Sequence, residues 1–130
     1  MPNVNTADPT AEFFRELAAR GREPLLGNSS GTLRFDLTDD GNHVEHWFVT
    51  VTKGDVSVSH KNAKADAVAR TDRALFDRIA SGGENAMAAL LRGALIPQGD
   101  LSLLLYFQRV FPAPSRSNDA PTAGYARRMR

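Results

Sequence analysis

Leu33–Val58, LRFDLTDDGNHVEHWFVTVTKGDVSV, is the stretch from which the fold of this chain can be read. Leu33, Phe35 and Leu37 alternate with Arg34 and Asp36, the period of two that sets one row of a strand against a core and the other in water. Asp39-Asp40-Gly41-Asn42 then turns the chain. In the strand that follows, Trp47, Val49 and Val51 point one way while His46, Phe48, Thr50 and Thr52 point the other. Lys53-Gly54-Asp55 is a second turn, and Val56 and Val58 mark a third, shorter strand. Two hairpins in succession predict an antiparallel sheet.

Working outward, residues 1–7 read as a flexible N-terminus. A helix starts at Asp8-Pro9, with Asp as N-cap and Pro at the first helical position. Phe13, Phe14, Leu17 and Ala18 form its apolar stripe, and Gly21 closes it. On the other side of the hairpins, Ala65 to Arg70 is a fourth strand, weakened by its alanines. Thr71 or Asp72 caps a helix bearing Leu75, Phe76 and Ile79, which Gly82-Gly83 ends. Asn85 caps another, with Met87, Leu90 and Leu91 facing inward and Gly93 after its last turn. Ala94 to Gln98 reads as a fifth strand in which Pro97, lacking an N–H, belongs at a sheet edge or a bulge. Asp100 caps a last helix, Leu101 to Phe111, and Pro112 stops it. Residues 113–130 read as a flexible tail, basic through four arginines against one aspartate. The order α-β-β-β-β-α-α-β-α predicts one α+β domain over residues 8–112, with helices on one face of the sheet.

The last helix carries more apolar surface than one core-facing stripe needs: eight of its eleven side chains are apolar or aromatic. Leu103, Leu104, Phe107, Val110 and Phe111 form one face, and Leu101 and Leu105 lie to its side. A bound lipid, a second subunit or more core would each use that surplus.

Composition excludes several classes. The 130 residues carry 16 basic and 15 acidic side chains, a net charge of +1, so no global field draws in nucleic acid. The lack of cysteine rules out disulfides, thiolate nucleophiles and Cys-ligated zinc. With neither an apolar leader nor a membrane-length apolar run, the expected location is the cytoplasm. Contact with membranes is expected to be transient at most, through the basic tail.

Polar chemistry is sparse. His43 and His46 have the odd spacing that places strand residues on opposite faces, and His60 follows the third strand, so all three are expected to be solvated or at edges. Asp36, Thr38, Asp40 and Gly41 fall on EF-hand loop positions, but Trp47 occupies the place of the bidentate Glu. No G-x-S-x-G, G-x-G-x-x-G or P-loop pattern occurs. Asp66, Asp72, Asp77 and Glu84 read as caps and surface residues. No metal or cofactor is expected.

Five pieces in order, GTLRFDL, HWFVTVTKGDVSV, ADAVARTD, GGENAMAALLRGAL and Gly99-Asp100 before the last helix, resemble the sterol carrier protein 2 (SCP2) type lipid-binding domain. The resemblance spans about Phe13 to Phe111. It implies a five-stranded, mostly antiparallel sheet with helices over one face. These would enclose an apolar tunnel for a sterol, fatty acid or fatty acyl derivative, which is carried or presented without catalysis. Pro97 departs from the pattern and would shorten or bulge the fifth strand. The C-terminal Arg127-Arg128-Met129-Arg130 is not a peroxisomal import tripeptide. The side chains that face the helix layer by periodicity, and would line such a tunnel, are Phe35, Trp47, Val49, Phe76, Ile79, Met87, Leu90, Leu91, Leu104, Phe107 and Phe111. The same residue types also build an ordinary core. Two other readings remain: a homodimeric or accessory domain whose apolar last helix is an interface, and a small α+β enzyme for an apolar substrate with His46 or an Asp as base.

Overall fold

The computed structural model describes residues 8–112, so the expectations for the two terminal segments lie outside the described residues. Five strands, β1 (Ser30–Thr38), β2 (Val44–Thr52), β3 (Asp55–Ser59), β4 (Ala67–Asp72) and β5 (Ile96–Gly99), form one sheet in the order β3-β2-β1-β4-β5. The expectation of a mostly antiparallel sheet is refined by its centre, where β1 and β4 run parallel; the other neighbours are antiparallel. Among the described residues the α-helices are α1 (Pro9–Arg20), α2 (Arg73–Ala80), α3 (Ala86–Leu91) and α4 (Leu101–Phe107).

The alternation of Leu33–Val51 gives the predicted faces. Leu33, Phe35, Leu37, Trp47, Val49 and Val51 are all buried in the core. The opposite face is drier than the sequence suggests, because Phe48 and Val68 on it are buried too. The chain passing from β3 to β4 supplies contacts there: Lys61 Nζ lies 5.1 Å from the Phe48 ring centre, and Arg34 Nη1 donates to the Ala63 carbonyl at 2.9 Å. The alanines that weaken β4 as a strand, Ala67 and Ala69, lie fully inside, where small side chains let helices approach the sheet. Pro97 sits on the edge strand β5, opposite Ala69, as its missing donor requires.

Helix ends follow their caps. Asp8 accepts from the Ala11 amide, Asn85 from Ala88 and Asp100 from Leu103. Thr71 is not a cap: it ends inside β4, where its hydroxyl donates to the Ala94 carbonyl at 2.8 Å, and Asp72 occupies the N-cap position. The last helix is shorter than its apolar run. After Phe107 it tightens to a 3₁₀ turn over Gln108–Val110, and Phe111 is extended (φ −68°, ψ 149°), as a residue before proline must be.

Two polar knots tie the layers. The Arg73 guanidinium meets Asp8 of the α1 cap, Glu45 of β2 and Asp77 of α2, while buried Thr10 donates to Asp77 at 2.6 Å. Burial alone would raise the Asp8 carboxyl, but the Ala11 amide and Arg73 outweigh it and hold Asp8 below its ordinary value. On the outer sheet face, Arg34 grips Asp36 with two hydrogen bonds of 2.8 and 3.0 Å, and His46 Nδ1 lies 2.8 Å from the same carboxylate. Burial again acts upward on Asp36, and again the partners prevail, so its pKa is lowered. His46 is thus half-buried in a polar network on an interior strand, neither solvated nor at an edge as the sequence reading has it.

Asp66 closes the crossover. Its carboxylate accepts from the Thr32 amide at 2.9 Å, and its carbonyl accepts from the Asp100 amide at 2.8 Å. A Cβ on Gly99 (φ +82°) would collide with that carbonyl, whereas Gly93 (φ +80°) faces open space. Gly99→Ala should therefore destabilise the fold clearly more than Gly93→Ala, by at least about 2 against about 1 kcal/mol in chemical denaturation. Depressed carboxylates contribute stability that is complete above their unfolded pKa near 3.8 and lost as pH falls through the lower folded values. Stability should therefore decline below about pH 4. Asp36→Asn should cost about 2 kcal/mol at pH 7 and flatten that acid limb in denaturant titrations.

Candidate functional site

An apolar cavity lies between α3, α4 and the sheet. Its walls are Phe35 and Ala69 from β1 and β4, Ala86, Met87 and Leu90 from α3, Leu95 before β5, Leu104, Leu105 and Phe107 from α4, and then Gln108 and Phe111. Its volume is about 20 Å³, room for a single water and far less than an acyl chain fills. No charged side chain is among these walls.

Six of the eleven side chains proposed from periodicity meet here: Phe35, Met87, Leu90, Leu104, Phe107 and Phe111. Trp47, Val49, Phe76 and Ile79 do not. They are buried in the aromatic part of the core, where Phe14 stacks on Trp47 at 4.5 Å and on Phe76 at 5.7 Å. Periodicity selects the helix-facing side of a strand, and that side serves core and cavity alike. Leu91 is a correction of the opposite kind. It is 80% exposed, because α3 is only six residues long and turns Ala86 and Ala89 to the core. The sequence reading missed Ala69, Ala86, Leu95, Leu105 and Gln108. Alanine gives no amphipathic signal, and Leu95 lies in a connection; only Leu105, set aside as surplus apolar surface, was within reach.

Two other concavities mix charged and apolar side chains. A groove of about 650 Å³ is lined by Asp8, Glu12, Glu16 and Arg20 together with Phe13, Val110 and Pro112, so both ends of the described chain border it. A second, of about 260 Å³, has Asp39, His43, Glu45 and Arg73 beside Leu37. Neither matches the apolar walls of the first.

The residues that could carry chemistry are dispersed. His46 is held by Asp36 on the sheet face opposite the helices, which places the supposed base outside the cavity. His43 belongs to the turn before β2, whose Asp39 side chain accepts from the Gly41 and His43 amides. Those amides hold the Asp39 carboxyl below its ordinary value. That is the geometry of a turn, not of an EF-hand. His60 is exposed beside the edge strand β3, as expected, and its ring also packs on Trp47, with centres 4.1 Å apart, while its Nδ1 lies 3.1 Å from the His46 carbonyl. Glu84 pairs with Arg92 and Arg78, and its hydrogen bond from Arg92 chiefly lowers its pKa. Among the described residues no three His, Asp or Glu side chains gather as a metal site. No helix among them is long and apolar enough to cross a membrane.

Comparison with curated proteins finds no match. Among solved structures, sterol carrier protein domain 2 of Helicoverpa armigera is similar at a TM-score of 0.63 and 19% identity, covering 84% of this chain and 93% of that one. The palmitated SCP2L2 of Aedes aegypti is similar at 0.62 and 16%, covering 88% and 99%. A stereoselective inverting sec-alkylsulfatase from Pseudomonas sp. contains a similar part, at 0.59 and 22%; the match covers 79% of this chain but 16% of the enzyme. These likenesses concern the fold. The sequence itself matches the SCP-2 sterol transfer family over residues 12–112. With most of its length covered by that match, the chain belongs to the SCP-2 sterol transfer family.

Proposed function

We propose that the protein binds one apolar lipid, a sterol, fatty acid or fatty acyl derivative, between α3, α4 and the sheet, and carries or presents it without catalysis. Family membership supports a lipid-binding or transfer role in general terms. The observation that carries the specific site is the wall chemistry: aliphatic and aromatic side chains from β1, β4, α3 and α4, with the Gln108 amide as the one polar side chain.

Energy favours occupation despite the small volume. A chain of about ten methylenes gains roughly 8 kcal/mol on leaving water. Against this stand association costs of several kcal/mol and the work of parting the walls. That work is modest where the wall is α3, which turns only alanines fully inward and leaves Met87 and Leu90 half-exposed. Met87 also adapts its shape readily.

A fluorescent fatty acid titrated below its micellar concentration should bind with one-to-one stoichiometry, and Leu90→Asp should weaken it at least tenfold while the protein remains folded. Unlabelled palmitate or a sterol at about 100 times its Kd should raise unfolding free energy by about 2.7 kcal/mol. If neither several fatty acids nor several sterols bind or stabilise, the reading is wrong.

A further inference from the structure

We propose that residues 113–119 of this chain lie back along α1 as a strap, with Arg116 between Glu12 and Glu16 and Asp119 at Arg20. The proposal stands apart from the lipid reading and concerns the groove of about 650 Å³ beside α1.

Four observations bear on it. First, the groove has the shape of a track. Pro9, Glu12, Phe13, Glu16 and Arg20 recur at the spacing of one helix face, so it runs lengthwise along α1. Ala80, Ser81, Val110 and Pro112 complete its walls, and its volume is that of about twenty waters, enough for several side chains. Second, the chain is delivered into it. Pro112 is itself a wall, and the ring of Phe111 stacks on Phe13 with centres 4.9 Å apart. Residue 113 therefore starts in the groove, and a tethered segment meets it at high effective concentration.

Third, the charges are unbalanced. Asp8, Glu12, Glu16, Glu23, Glu45 and Asp77, on α1 or linked to it by ion pairs, outnumber Arg15, Arg20 and Arg73 two to one. Asp8 is engaged by Arg73, but Glu12 and Glu16 are exposed one turn apart. The pair of Glu12 with Arg15 is exposed and so weak, and Glu16 forms no ion pair among the described residues.

Fourth, the order of charges matches along the track. Pro114 favours extended backbone at Ala113, and four extended residues carry the chain about 13 Å from Pro112, far enough for Arg116 to reach both glutamates. Asp119 follows about 10 Å further on. Along the helix, Arg20 lies about 9 Å from the midpoint of Glu12 and Glu16. A plus-then-minus strap thus meets a minus-then-plus helix face. Arg20 donates to Glu23 through Nη2 and, with its side chain 51% exposed, keeps other donors for Asp119. Residues 1–7, which adjoin the same groove at Asp8, carry no charged side chain and lack this complement.

The test uses exposed positions, which can be changed without unfolding the protein. The chain has no cysteine, so Ser117→Cys places a single nitroxide on the strap. At low salt the label should broaden the amide resonances of Glu12–Arg20 and Ser81. Those of Gln98 and Gly99, in β5 at the sheet edge opposite β3, should be much less affected, since α1 adjoins β3 through the Val56 amide and the Gly21 carbonyl. Reversing both carboxylates, Glu12→Lys with Glu16→Lys, should reduce the broadening about threefold, the scale of a few exposed ion pairs. Adding Arg116→Glu to that variant should restore it. Broadening that is uniform over exposed amides, that survives the reversal, or that grows with protein concentration because a second copy supplies the strap, would overturn the proposal. So would a nitroxide at Asn5→Cys that broadens the groove amides while the one at Ser117→Cys does not.

Discussion

The ring of Phe14 is the contact on which the rest of the molecule hangs. Fully buried, it stacks on Trp47 from β2 and on Phe76 from α2, and it leans on Phe35 from β1. One side chain of α1 thus fixes that helix, α2 and two central strands at once. Aromatic pairs of this kind add about 0.5–1.5 kcal/mol each beyond the area they bury, and their rigid planes tolerate little displacement. Arg73 reinforces the same end with charge, joining α1, β2 and α2 through three carboxylates.

The other half of the helix layer is built from different material. Under α3 and α4 the contacts are Ala69, Ala86, Ala89, Leu95 and Leu104, and the rings that reach this side, Phe35, Phe107 and Phe111, do so at its border. Alanines fill space without interlocking, and methionine and leucine change rotamer cheaply. A domain with one stiff half and one compliant half can accept a guest in the second without losing its shape. Asp66 limits how far compliance spreads, since it pins β1, the crossover and the start of α4 together. The cavity lies where that division predicts it.

Much of this was legible in the sequence, because the relevant signals are local. The alternation of Leu33–Val51, the caps Asp8, Asn85 and Asp100, and the stop at Pro112 report on a few consecutive residues, and the elements follow them closely. The parallel pairing of β1 with β4 was not legible, since it depends on where a connection of seven residues crosses the sheet. The site was half legible for a related reason. Periodicity shows which face of an element turns inward, and so finds Phe35, Leu104 and Phe107, but it does not separate Val49 in solid core from Met87 at a cavity wall. Leu91 misled because six residues make too short a helix for its period to fix which of three neighbouring apolar side chains stays outside. Asp36 and His46 were missed as a pair because their contact is between strands, ten residues apart in the chain.

The groove bordered by Asp8 and Pro112 brings the two ends of the folded unit to one side of the molecule. A unit whose entry and exit adjoin can be spliced into a larger polypeptide as a cassette, since the host chain is interrupted over a short span and neither layer must be unthreaded. That geometry suits a fold which also occurs as a small fraction of a far longer sulfatase. Portability of this kind depends on the α1 and C-terminal edge alone, and it leaves the α3 side of the module free to face whatever the host presents.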